Sequence, residues 1–307
     1  MNHCGLYLTP EQVREAINHR EREPFKAAFD RMNADVFTGT ASVVRAGFLW
    51  KLYQNAEAGA AALYPLETMM AEIPAPDRPL IDTIGETVAL AQAFELLRDH
   101  PASESTLQTR WLDAFAARRE WLMTQGSRAS YVETLWMALL NMAAGVVLDQ
   151  PKLLRDQITF FEAAVRDDVR PQGFIPKAVD GKDGGSVIRQ VRAASALILM
   201  AELAAVSGEN IDLWSYSVRG VSAVTAAIYG IYYFYISTKW KWDDAITPEH
   251  VQDVFKQYGG YLEMVYRRTQ LKDVKTVLGD LRPMWDVFGG GYTTITHAVA
   301  ARKGLFG

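Results

Sequence analysis

Apolar residues recur through most of the chain at spacings of three and four, the period of a helix with one face turned inward. Such segments run over 11–34 (interrupted at Pro24), 41–57, 79–99, 104–123, 130–148, 150–168, 187–206, 211–236, 248–268 and 272–281. Start signals accompany some of them. Thr9, Pro10 and Gln12 supply a cap, a proline at the first helical position and a glutamine at the third, and Ser130 with Glu133 spells a capping box. Clusters of proline and glycine punctuate the pattern: "IPAPDRP" at 73–79, "RPQGFIPK" at 170–177 and "FGGG" at 288–291, the last expected to be a backbone turn. No window alternates as a half-buried strand does. "IYGIYYFYI" is rich in strand formers but continues an alanine-rich stretch, so it too is read as helix. Helices joined by short loops, with no linker among them, predict one all-α domain over residues 1–307. Pairs stacked as hairpins would bury them in an α/α toroid, an incomplete barrel.

One stretch carries an internal contradiction. From Ala193 onward, "GKDGGSVIRQVRAASALILMAEL" (181–203) is apolar on nearly every side, as a buried helix is. Its opening turns nevertheless hold Arg189 and Arg192, three apart and therefore on one face. They lie near the positive end of the helix dipole, where cations are disfavoured. Asp180 or Asp183 could pair with them, and Lys177 and Lys182 are close in sequence. Alternatively they wall a site for an anion, since a guanidinium grips a carboxylate with two parallel bonds.

Composition narrows the classes. With 32 basic and 36 acidic residues the net charge is −4, which argues against a general nucleic-acid binder while leaving room for a local basic cleft. The single cysteine, Cys4, excludes a disulfide framework and a cysteine zinc site. His3, His19, His100, His250 and His297 show no pairing at helical metal spacing, and no P-loop, dinucleotide fingerprint, nucleophile elbow or zincin motif occurs. No metal and no cofactor are expected. Residues 220–238 are free of charge, but their tyrosines and small polar residues favour a core helix over a membrane span. The first twenty residues lack a basic segment followed by an apolar one, so no signal peptide is read in this chain.

Two further features bear on chemistry. Arg128 and Ala129 stand just before the helix that Ser130 opens, and a helix mouth with free N–H groups favours anions. Tyr229, Tyr232, Tyr233, Tyr235, Trp240 and Trp242 form an aromatic cluster that could stack on sugar rings or simply fill core.

These segments together resemble the alginate lyase family of polysaccharide lyases, most clearly over 127–301. "QGFIPKAVDGKDGGSVIRQVRAASALILMAELAAVSG" (172–208) has the shape of the family's Gln-Gly-Phe-Leu-Pro stretch and the apolar helix that follows it. "DLRPMWDVFGGGYTTITHA" (280–298) looks like its Leu-Arg-Pro segment with a double glycine. The resemblance implies an α/α toroid, elimination on a uronate polymer and a periplasmic or secreted setting. The catalytic positions depart from the pattern. The family's neutralising asparagine falls on Arg128 and its histidine on Ala129. Its arginine falls on Gly185, and its Tyr-His-Asn-Tyr run falls on Arg189, Gln190, Val191 and Arg192.

Lyases of this kind remove the C5 proton beside a uronate carboxylate and expel the C4 oxygen. The step needs a neutralising group, a base and an acid. The candidates for catalysis are Tyr131, Arg192 and Arg128. Those for substrate contact are Arg189, Gln190, Lys177 and His297. If Arg128, Arg189 and Arg192 faced Tyr131, their charge would lower its pKa from about 10 by about 1–3 units and make it a usable base. Two readings follow: a divergent polysaccharide lyase (a carbon–oxygen lyase) acting on a uronic-acid-containing polysaccharide, or a non-catalytic pseudoenzyme that binds an anionic polysaccharide or oligosaccharide.

Overall fold

A computed structural model describes residues 1–75, 77–243 and 246–300. The last seven residues of the 1–307 span lie outside the described residues. Among the described residues there are seventeen α-helices. They are α1 (Pro10–His19), α2 (Phe25–Ala34), α3 (Gly39–Tyr53), α4 (Ala56–Ala71), α5 (Leu80–Leu97) and α6 (Ser105–Thr124). Next come α7 (Tyr131–Val147), α8 (Pro151–Arg155), α9 (Ile158–Ala163), α10 (Pro176–Val179), α11 (Ser186–Val206) and α12 (Ala223–Tyr229). The chain ends with α13 (Ile231–Tyr235), α14 (Pro248–Tyr258), α15 (Tyr261–Thr269), α16 (Lys272–Leu281) and α17 (Thr293–His297).

Both expected capping boxes form. Thr9 Oγ1 accepts from the Gln12 N–H and Gln12 Oε1 from the Thr9 N–H, and Ser130 and Glu133 repeat the exchange. Helix α4 goes beyond the sequence reading, because Pro65 in its interior argues for a break. Asn55 caps it, and packing against α3, α5 and α6 outweighs the lost backbone bond. Residues 211–222, expected to be helical, are irregular. Arg219 and Gly220 both take the left-handed conformation (φ 54° and 76°), and Val218 pairs with Val221 across that turn.

The helices form the α/α toroid. An inner ring runs α3, α5, α7, α11, α15, α17, each against the next, and α1 joins α17 back to α3. Outer helices α4, α6, α8, α12, α14 and α16 cover it. Because each outer helix reverses the chain, successive inner helices run the same way. Their starts meet: Thr40 in α3 donates to Glu86 in α5 at 2.9 Å, and Asp82 in α5 pairs with Arg192 in α11 at 3.0 Å. Their ends meet too, where Arg98 after α5 donates to the Val147 carbonyl of α7 at 3.1 Å. Ring position explains the apolar sequence of α5, α7 and α11, which are buried on nearly all sides. Among the described residues no helix is long and apolar enough to cross a membrane.

Candidate active site

Arg192 is the hub of the ring's mouth. Its Nη2 donates to Asp82 Oδ1 at 3.0 Å and to the Tyr258 hydroxyl at 2.8 Å, and its guanidinium carbon lies 4.4 Å from the Tyr258 ring centre. Its backbone carbonyl accepts from the indole N–H of Trp136 at 3.0 Å, which ties α11 to α7. Asp82 belongs to the first turn of α5, where a negative charge is favoured. Arg192 and Tyr258 are largely buried, but the Asp82 side chain is 36% exposed and opens the group to solvent.

Arg189 points elsewhere. It donates to both Asp183 oxygens at 2.9 and 2.8 Å and to the carbonyls of Ala178 and Asp180. Hydrogen bonding from Arg189, with the Gly185 N–H, pulls the Asp183 carboxyl down to about 2. A second carboxylate caps the same helix: Asp243 accepts from the N–H groups of Gly184 and Ser186 and from the Ser186 hydroxyl. Burial opposes the Asp243 charge, yet these donors hold its pKa below the ordinary value. The two arginines at the start of α11 are therefore each met by a carboxylate, Arg189 by Asp183 and Arg192 by Asp82, while Asp243 caps the helix backbone.

The remaining candidates separate. Arg128 is exposed at the end of a 3₁₀ turn (Gln125–Arg128) and lines a cavity of about 240 Å³ with Arg78, Thr83, Trp121 and Glu133. Thr83 adjoins Asp82, so this cavity and the Arg192 hub flank the start of α5. Tyr131 lies apart from the guanidiniums, with Lys177 Nζ 5.2 Å from its ring centre. Lys177 pairs with Asp168 at 2.8 Å. The Tyr131 hydroxyl is buried without a hydrogen-bond partner, and burial together with the nearby Asp168 charge raises its pKa well above the usual range. The expected lowering is thus reversed, because the positive charge that would produce it faces elsewhere.

Gln190 is buried and braces the segment before α10, accepting from the Ile175 N–H at 2.9 Å and donating to the Gly173 carbonyl at 3.2 Å. His297 is also buried, 3.5 Å from Glu202 Oε1, within a network that adds Arg268 and Trp214. Glu202 is ten residues beyond Arg192 on α11, roughly 15 Å along the axis. The structure does not bring His297 to Arg189 or Arg192.

The glycine-rich segment is a turn, as expected, wrapped round a buried carboxylate. Asp286 accepts from the N–H groups of Gly289 and Gly260 at 2.8 and 3.3 Å and exchanges backbone bonds with Gly291. A Cβ on Gly289 would lie 2.2 Å from Asp286 Oδ2, so a side chain there would have to displace the carboxylate. Burial pushes the Asp286 carboxyl up to about 6, against the pull of those N–H groups and of Arg192. An unfolded Asp titrates near 3.9, so between roughly pH 4 and 6 the folded chain holds a proton that the unfolded chain has lost. Stability from this group therefore falls as pH rises through that window, by about 3 kcal/mol in all. Asp286→Asn is expected to remove that slope. Urea midpoints of both proteins at pH 4 to 7 should show wild type losing ground relative to the variant as pH rises.

Tyr258 and Asp82 were not picked out by sequence reasoning. Tyr258 ends α14 just before two glycines, and 66 residues separate it from Arg192. Nothing local marks either residue. Among the described residues no cluster of three or more His, Cys, Asp and Glu side chains could hold a metal ion.

The sequence pattern that defines the alginate lyase family matches residues 67–240, more than half of the chain. The chain belongs to the alginate lyase family. The matched stretch includes Arg128, Tyr131, Arg189 and Arg192 and ends before Tyr258. Among solved structures, the chain is similar to a variant of alginate lyase A1-III complexed with a tetrasaccharide (TM-score 0.73, 14% identity, 98% of this chain and 97% of that one). It is also similar to an alginate lyase from Bacteroides ovatus (0.71, 11%, 96% and 99%) and to alginate lyase A1-III from Sphingomonas species A1 (0.69, 16%, 85% and 75%). At such identities the likeness speaks for the shared toroid. No curated protein matches the chain.

Proposed function

We propose that this member of the family is a divergent polysaccharide lyase that cleaves a uronic-acid-containing polysaccharide by β-elimination at Arg192 and Tyr258. One domain over residues 1–307 would carry the activity. The observation that carries the reading is the Tyr258 hydroxyl 2.8 Å from the Arg192 guanidinium. By resemblance, Arg192 occupies the position of the family's catalytic tyrosine. A phenol is thus supplied to that neighbourhood from another helix, with a cation beside it.

The chemistry balances on these groups. Arg192 neutralises the uronate carboxylate, aided by Arg128 across the start of α5. Tyr258 as phenolate takes the C5 proton, the C4–O bond breaks as the C4–C5 double bond forms, and the phenol returns the proton to the departing oxygen. The guanidinium that donates to Tyr258 is the counter-charge the phenolate needs. The same arrangement serves proton transfer in both directions.

Asp82 now fills the place on Arg192 that a substrate carboxylate would take. Asp82→Asn is therefore expected to lower the KM for a uronate polymer about fivefold, the worth of a partly exposed ion pair of about 1 kcal/mol. Steady-state rates at several polymer concentrations check this. The Asp82 pair also favours the second reading, a non-catalytic binder of anionic glycans, because Arg192 is already occupied. Size-exclusion of the polymer after incubation separates the two. A lyase shortens the chains, whereas a binder leaves their length unchanged.

A further inference from the structure

The loop ahead of α11 is built around Arg189. Gly181 takes φ +132°, and a Cβ there would sit 2.9 Å from Arg189 Nη2; one on Gly185 would sit 2.8 Å from Nη1. Held by this guanidinium, the loop presents Lys182 opposite the segment at 240–243. That segment is anchored in turn, since Asp243 caps α11 and Trp240 donates to the Ser186 hydroxyl at 2.7 Å. Between the two lies an open cavity of about 510 Å³ lined by Lys177, Val179, Asp180, Lys182, Lys241 and Trp242.

The lining is arranged for an anion with an apolar face. Trp242 is fixed by a hydrogen bond to the Tyr229 hydroxyl at 3.1 Å and by Phe174 at 4.7 Å between ring centres. Lys241 Nζ lies 4.7 Å from the Trp242 ring centre and 5.3 Å from that of Phe174, which fixes its position at the rim. Among the described residues neither Lys182 nor Lys241 has a carboxylate within ion-pair distance, whereas Lys177 pairs with Asp168. Two ammonium groups without such a partner, Lys182 and Lys241, thus line the cavity with one carboxylate, Asp180, while the third, Lys177, is balanced by Asp168. The volume is in the range of small-molecule sites.

We propose that this cavity is a second binding site, separate from Arg192 and Tyr258, for a carboxylate-bearing sugar of the polymer. Lys182 and Lys241 meet the carboxylate, and Trp242 meets the ring. The inference rests on the reading of an anionic polysaccharide as ligand. It assigns Arg189 a positioning role: it shapes the loop and does not touch substrate.

Calorimetric titration with an alginate tetrasaccharide tests it, on wild type and on the K182Q/K241Q and Trp242→Phe variants. Cellotetraose and inorganic phosphate serve as a neutral and a non-sugar probe. The lysines are exposed, so unchanged melting of the variants checks their fold. The expected result is tetrasaccharide binding that weakens about tenfold in K182Q/K241Q and severalfold in Trp242→Phe, with no binding of cellotetraose and only weak binding of phosphate. Wild-type affinity in both variants would overturn this site while leaving the polysaccharide reading intact. Phosphate binding as tight as the tetrasaccharide would make the cavity an anion site without sugar recognition and overturn it too. No binding of the tetrasaccharide to wild type would remove alginate as the polymer and overturn this inference with it.

Discussion

Tyr258→Phe is expected to lower kcat on a uronate polymer by about 10²–10⁴-fold, the range that a positioned proton-transfer group supplies. Binding should change little. Phenylalanine keeps the ring under the Arg192 guanidinium, 4.4 Å away in wild type, and removes only the oxygen that accepts from it. Arg192 also keeps its ion pair with Asp82 and its backbone bond to Trp136, so the fold of the mouth should persist. The signature is a fall in kcat with KM nearly constant, because the lost interaction belongs to the transition state. A rise in KM at constant kcat would instead make Tyr258 a binding residue.

The largest effect on stability should come from Glu263. It is fully buried on α15 and accepts from Arg282 at 2.7 and 2.6 Å and from the Thr294 hydroxyl at 2.6 Å. Thr294 in turn accepts from the Met284 N–H at 2.8 Å, so one carboxylate organises the whole C-terminal turn. Glu263→Ala strands a mostly buried guanidinium, and losing one partner of such a pair costs about 3–5 kcal/mol. Replacing Glu263 and Arg282 together with apolar residues of similar volume should recover much of that loss, since neither charge then needs a partner. Denaturant midpoints for the single and double variants check both statements. Because this pair lies outside the proposed reaction centre, surviving Glu263→Ala protein should retain its kcat.

The sequence was most legible where one segment answers to one physical demand. The periodic runs at 79–99, 104–123, 130–148, 187–206 and 272–281 match α5, α6, α7, α11 and α16 to within two residues. Their apolar faces and capping residues are local signals. Helix α4 was hidden by Pro65, which local rules count as a break, and the 211–236 run was overextended because its composition does not reveal the Arg219–Gly220 turn. At the site, Arg192 was visible as a cation disfavoured near a helix start, and Arg128 as a cation beside a helix mouth suited to anions. Their partners were not. Asp82 lies 110 residues from Arg192 and Tyr258 lies 66 away, and such contacts arise only when the ring closes. Tyr131 shows the same limit from the other side. Its place in the first turn of α7 was correct, but the charges it meets, Asp168 and Lys177, come from outside the inner ring.

The measurement that bears most directly on an elimination centre at Arg192 and Tyr258 is an ultraviolet time course on alginate, glucuronan, hyaluronan and pectate, following the new C4–C5 double bond. Wild type should give a rising signal on at least one polymer, and Tyr258→Phe should give almost none on the same polymer while still binding it. A flat trace from wild type on all four, or an equal signal from wild type and Tyr258→Phe, would contradict the account.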